Sequence, residues 1–181
     1  MIHHKGSKQG TIEPMFVLGI DPGLTRCGYA CVEALGPGKA RAVAMGVLRT
    51  PTDAELAERL LLLRNDLRAL IAEYRPQAVA VERVFFQVNV RTAMSVGQAS
   101  GLALVEALDA GCEVAQYSPN QVKDAVAGYG GADKEQVQRM VQLRLGLATP
   151  PKPADAADAA ALALCHLAMN PMRRRVAEAS S

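Results

Sequence analysis

Phe16-Val17-Leu18-Gly19-Ile20-Asp21-Pro22-Gly23 is a short apolar run that leads straight into an acid and a Pro-Gly turn. Such a run reads as a buried strand whose end is set by the turn residues. Later in the chain Gln77-Ala78-Val79-Ala80-Val81-Glu82 repeats the design and also closes on a carboxylate. Between the two lie β-type stretches at residues 28–34 and 40–49, split by Gly36-Pro37-Gly38. Together with the first run they predict a three-strand antiparallel meander.

Working outward, apolar residues recur between Asp53 and Tyr74 at Leu56, Leu60, Leu63, Leu67, Leu70 and Ile71, and Pro76 follows. That 3-to-4 spacing predicts an amphipathic helix before the Glu82 strand. Residues 92–110 read as a helix that is apolar or small nearly all round, the mark of a buried one. Glu113 to Tyr117 reads as a fifth strand, and helices are predicted near residues 119–127, 133–146 and 155–169, the last after a loop at Thr149-Pro150-Pro151-Lys152-Pro153. Strands first, then helix and strand in alternation, imply an α/β fold: a mixed five-stranded sheet flanked by helices on both faces. Residues 1–14 lack periodicity and read as a disordered leader or an extension added for expression; residues 15–170 form one domain and residues 171–181 a flexible tail.

A chain of 181 residues, half of them hydrophobic, is long enough for one packed domain and short for two. No apolar run reaches the ~18 to 20 residues of a membrane helix, so a soluble, cytoplasmic protein is expected. Cys27, Cys31, Cys112 and Cys165 are scattered, without the spacing of a zinc site or a disulfide framework, and read as buried thiols. The net charge of +2 resides in the tails: Lys5, Lys8, Arg173, Arg174 and Arg175 outweigh Glu13 and Glu178, and residues 15–170 carry −1. Bulk charge therefore supplies no field for nucleic acid. Any such partner needs a local basic surface beside the acids.

The acids carry the chemistry. Asp21, at the C-terminal end of a strand, projects into the crevice where open α/β sheets bind ligands, although a turn-forming Asp would look the same. Glu82 ends a strand expected to be buried on both faces, where a charge needs a partner or a cation and is harder to explain away; the alternative is a rim ion pair with Arg83 or another base. Asp155 and Asp158, three apart at the start of an Ala-rich helix, project from one side of its first turn, and either could be there as a helix cap. Four acids brought together repel one another unless cations lie between them. Hard oxygen donors suit Mg²⁺ or Mn²⁺, and two such ions ~3.5 to 4 Å apart serve in-line phosphoryl displacement, the chemistry of nucleases. No Ser, Cys or His constellation competes: His3 and His4 lie in the leader, and His166, alone on a helix, reads as a packing or surface residue.

Six motifs in order, Gly19-Ile20-Asp21-Pro22-Gly23, Val81-Glu82-Arg83-Val84-Phe85, Gly97-Gln98-Ala99-Ser100-Gly101, Gln121-Val122-Lys123, Ala132-Asp133-Lys134 and Asp155-Ala156-Ala157-Asp158-Ala159, closely resemble the Holliday-junction resolvases of the RuvC type. The resemblance spans about residues 16 to 170 and implies an RNase-H-like fold. It also implies a homodimer that nicks two opposing strands of a four-way junction with Mg²⁺ or Mn²⁺, leaving a 5′-phosphate and a 3′-hydroxyl. By that resemblance Asp21, Glu82, Asp155 and Asp158 are the catalytic metal ligands, and RuvA and RuvB, the branch-migration proteins, are partners. Phe85 would stack on an unpaired base, Lys123 and Lys134 would contact phosphate, and Arg83 is a further candidate DNA contact; the adjacent Phe86 serves equally well as core. Gly97 and Gly101, in step with Ala93, leave a smooth helix face that suits either a dimer or close packing within the monomer.

Three rival readings stay in view. A phosphotransferase of the actin and sugar-kinase kind also has an Asp-x-Gly strand end, but needs a second such domain. A junction-binding module without catalysis would not need all four acids. A related RNase-H-like nuclease acting on RNA would lack the Lys and Phe85 pattern.

Overall fold

The structure is a computed structural model that describes residues 15–84 and 90–179, and of these the side chains of all but 90–92 and 171–179. Its elements in chain order are β1 (Met15–Asp21), β2 (Arg26–Gly36), β3 (Lys39–Arg49), α1 (Leu56–Tyr74), β4 (Ala78–Glu82), α2 (Val90–Asp109), β5 (Glu113–Tyr117), α3 (Pro119–Ala127), α4 (Lys134–Arg144) and α5 (Ala154–Ala179). The strands form one sheet of five in the order β3-β2-β1-β4-β5. β1, β2 and β3 are the antiparallel meander, while β4 pairs parallel with β1 and β5 parallel with β4. The mixed sheet with helices on both faces is the architecture expected.

Side chains alternate across the sheet because successive strand residues point to opposite faces. Leu18, Ile20, Val79 and Val81 point to one layer, where they pack with Leu63, Leu67 and Ile71 of α1 and Ala99 and Ala103 of α2. Val17, Ala30, Val32, Ala80, Ala115 and Tyr117 point to the other, against α3, α4 and the alanines of α5. Asp21 and Glu82 keep the alternation of their strands, which sends both to the α5 side. The two outer helices α1 and α2 are tied by Glu106, almost fully buried, which accepts from Arg64 at 2.6 Å and from Arg68 at 2.7 Å.

Small residues set how closely α5 approaches. A Cβ on Gly19 would lie 1.9 Å from the Ala159 carbonyl oxygen, and one on Gly28 would lie 2.1 Å from that of Asp155. Both glycines are therefore required by contact with α5 and not by turn geometry. Two helix starts carry reciprocal caps: the Ser118 hydroxyl accepts from the Gln121 N–H and the Asp133 carboxylate from the Gln136 N–H, and each glutamine accepts from its cap's N–H. α5 runs on to Ala179, beyond its expected end near residue 169. All four cysteines are free and buried. Among the described residues no helix is long and apolar enough to cross a membrane.

Candidate active site

β1 and β4 end side by side. Their register runs from Val17–Ala78 to Ile20–Val81, so that Asp21 and Glu82 are the next residues along two adjacent parallel strands. Glu82 is in turn level with Tyr117 on β5. α5 lies across this end of the sheet and presents Asp155 and Asp158 from its first turns, with the Asp155 backbone against Gly28, the strand partner of Asp21. All four acids singled out in the sequence thus come to one end of the sheet, each half-buried.

Their electrostatics show the crowding. Asp21 is pushed up to about 7, first by burial and then by Glu82, Asp158 and Asp155, with Lys134 opposing. Glu82 is raised as well, by burial and by Asp158, again opposed by Lys134. Asp155 moves the other way, because the Arg26 guanidinium donates to its Oδ2 from Nη2 at 2.5 Å and from Nε at 3.0 Å. The Lys134 ammonium donates to Asp158 Oδ2 at 2.8 Å, which raises the lysine. With Asp155 turned to Arg26 and Asp158 to Lys134, no group of three acid, His or Cys side chains among the described residues closes around a single point. The donor set is nevertheless all carboxylate oxygen, and the shared repulsion at Asp21 is what a divalent cation relieves. These residues fit a hard cation once the two α5 acids exchange their Arg and Lys partners for it.

Lys123 on α3 and Lys134 at the first position of α4 join Glu82 and Asp158 around a cleft of about 300 Å³, floored by Val122 and Leu162. Arg83 is exposed just past Glu82, its backbone N–H donating to the Tyr117 carbonyl at 2.8 Å. Phe85 and Phe86 lie outside the described residues, as does the leader. Among the described residues nothing approaches where a Cβ on Gly97 or Gly101 would be, so close packing against those residues is not their reason.

Two sets of contacts are not visible in the sequence. Arg26 starts β2 and reaches Asp155 across most of the chain; the hint was a cation on the strand that folds back beside Asp21. His166 is fully buried, its Nδ1 2.9 Å from the Tyr117 hydroxyl and its Nε2 3.4 Å from Asn170 Nδ2. That network ties β5 to α5.

Comparison with known proteins gives a consistent picture. The family model described as crossover junction endodeoxyribonuclease RuvC matches residues 17–166. A RuvC crossover junction endodeoxyribonuclease of Roseiflexus sp. is 53% identical over 89% of this chain and 95% of its own length. One from Salinispora arenicola is 53% identical over 92% of this chain and 95% of its own. Among solved structures, T. thermophilus RuvC in complex with Holliday junction substrate superposes with a TM-score of 0.84 at 42% identity, covering 88% of this chain and 96% of that one.

Proposed function

The chain belongs to the RuvC family of crossover junction endodeoxyribonucleases, and from that premise we propose that Asp21, Glu82, Asp155 and Asp158 are its catalytic carboxylates. It is a nuclease of DNA recombination and repair that resolves Holliday junctions. The observation that carries the assignment of the centre is the convergence itself: two parallel strands end in acids beside the helix start that bears two more, where burial first and then the neighbouring acids push Asp21 up to about 7.

The four carboxylates would hold Mg²⁺ or Mn²⁺, and four are enough for two ions. Bound there, the cation supplies an activated water and neutralises charge at phosphorus. Asp21 and Glu82, fixed by the sheet, provide the rigid half of the ligand set; Asp155 and Asp158, on α5, provide the half that exchanges partners. Hydrolysis forms a bond from water oxygen to phosphorus and breaks the bond from phosphorus to the 3′ oxygen, which leaves as a hydroxyl and keeps the phosphate on the 5′ end. Lys123 and Lys134, on the cleft that Glu82 and Asp158 share, are suited to hold the phosphate backbone in line. Arg83, exposed next to Glu82, and Phe85 are further contacts to the junction.

A homodimer is supported by α2. Met94, Val105 and Leu108, exposed by 60%, 64% and 70%, fall with Gly97 and Gly101 on one face of the helix at 3.6 residues per turn. Large apolar side chains beside smooth glycines make a self-complementary surface of the kind two-fold dimers use. The family relation also makes RuvA and RuvB the expected partners, and a DNA substrate makes the cytoplasm the expected location.

The test is cleavage of a labelled synthetic four-way junction with and without Mg²⁺ or Mn²⁺, by the protein and by Asp21→Asn. Paired nicks that need the metal and vanish in the variant while junction binding survives are the expected result. Cleavage undiminished in Asp21→Asn would remove Asp21 from the centre.

A further inference from the structure

The lysines account for one side of the acids only. On the other side, β2 and β3 bring Arg26 and Arg49 together as register partners at the end of the sheet where Asp21 lies. Arg59, from α1, reaches the same corner: its Nη2 donates to Thr25 Oγ1 at 2.7 Å and its Nε to Thr50 Oγ1 at 3.0 Å. Thr25 and Thr50 are the chain neighbours of Arg26 and Arg49, so Arg59 braces this register pair from the α1 side, while Arg26 and Arg49 share the face that carries Asp155. Asp155 serves Arg26, and neither Arg49 nor Arg59 has a carboxylate in salt-bridge reach among the described residues.

Like charges placed directly across a strand pair destabilise it. The fold accepts that cost at Arg26 and Arg49, and an anion lying over them offsets it. The sheet order β3-β2-β1-β4-β5 sets the arginines on the β2 and β3 side of the acids and the lysines beyond β4. β3 lies two strand spacings from β1, about 10 Å. That is roughly three nucleotide rises along one strand of a duplex. A backbone that crosses the acids at one phosphate would therefore reach the arginines a few phosphates away.

We propose that Arg26 and Arg49 form a second phosphate-binding surface, which grips the junction backbone on the side of the acids opposite Lys123 and Lys134. It rests on the junction-cleaving reading of the site. The contact is to phosphate oxygens and carries no base preference. Arg59, held by two hydroxyls, steadies this corner from the α1 side; Arg49, exposed, is the member whose charge can be removed without disturbing a side-chain bond among the described residues.

Binding of a fluorescent four-way junction would be followed in EDTA over a range of NaCl concentrations, with Asp21→Asn as the parent and Arg49→Gln, Arg49→Lys or Arg41→Gln added to it. Arg41 is on β3 at the end away from the acids, paired with Glu33. Arg49→Gln is expected to weaken binding several-fold at moderate salt and to flatten the slope of log affinity against log salt by about 0.9, one phosphate contact. Arg49→Lys keeps the slope, and Arg41→Gln changes neither quantity. An unchanged slope in Arg49→Gln, or an equal loss in Arg41→Gln, overturns the proposal while leaving the junction reading intact. A parent that binds no junction at all overturns both.

Discussion

Asp21 shows what the site costs the fold. Burial and three neighbouring acids hold its carboxyl up to about 7, against about 4 in an unfolded chain. Between those values the folded protein keeps a proton that the unfolded chain releases, so this group makes stability fall as pH rises through that window. With divalent ions chelated, Asp21→Asn is therefore expected to be the more stable protein at pH 8, by on the order of 1–3 kcal/mol, and to match the parent near pH 4. Thermal melts at the two pH values check it. Equal melting temperatures at pH 8 would mean that the acids do not crowd Asp21 in solution. A residue that lowers stability and is retained for chemistry is the usual mark of a catalytic position.

Elements explain what could be read from the chain and what could not. β1 and β4 were legible because a buried strand that ends in an acid breaks its own pattern, and α1 because its leucines keep helical spacing. The two acids of α5 were legible as a pair, since three residues along a helix is one turn. Arg26 was not, because its partner Asp155 is 129 positions away and no local periodicity records such a contact. His166 was read as a packing or surface residue, and its bonds to Tyr117 and Asn170 follow only once β5 and α5 are packed together. Gly19 belongs to the same class: in the sequence it is one small residue of an apolar strand run, whereas in the fold it is the space that α5 occupies. Gly19→Ala would drive its methyl into the Ala159 carbonyl, which is backbone and has no rotamer to yield. The expected loss is about 3 kcal/mol, the upper end for overpacking, with cleavage reduced because α5 carries Asp155 and Asp158. Denaturant melts and junction cleavage together test this. A variant as stable as the parent would mean that α5 sits farther from β1.

Over the whole molecule, charge and symmetry matter more than any single contact. The domain from 15 to 170 carries −1, yet the fold separates that charge into an acid end of the sheet with cations on two sides. A four-way junction has two strands to cut, and a protein with one acid cluster per chain reaches both at once only as a symmetric pair. The exposed face of α2 is the surface proposed for that pairing. Leu108, 70% exposed, makes little contact within its own chain, so Leu108→Glu is expected to leave protomer stability within about 0.5 kcal/mol. Two like charges facing each other across a two-fold axis would oppose association. Sedimentation should then find monomers where the parent forms dimers, and on a junction the two nicks should fall out of step, with singly nicked product accumulating. A Leu108→Glu protein that sediments and nicks in pairs like the parent would move the dimer interface away from this face of α2.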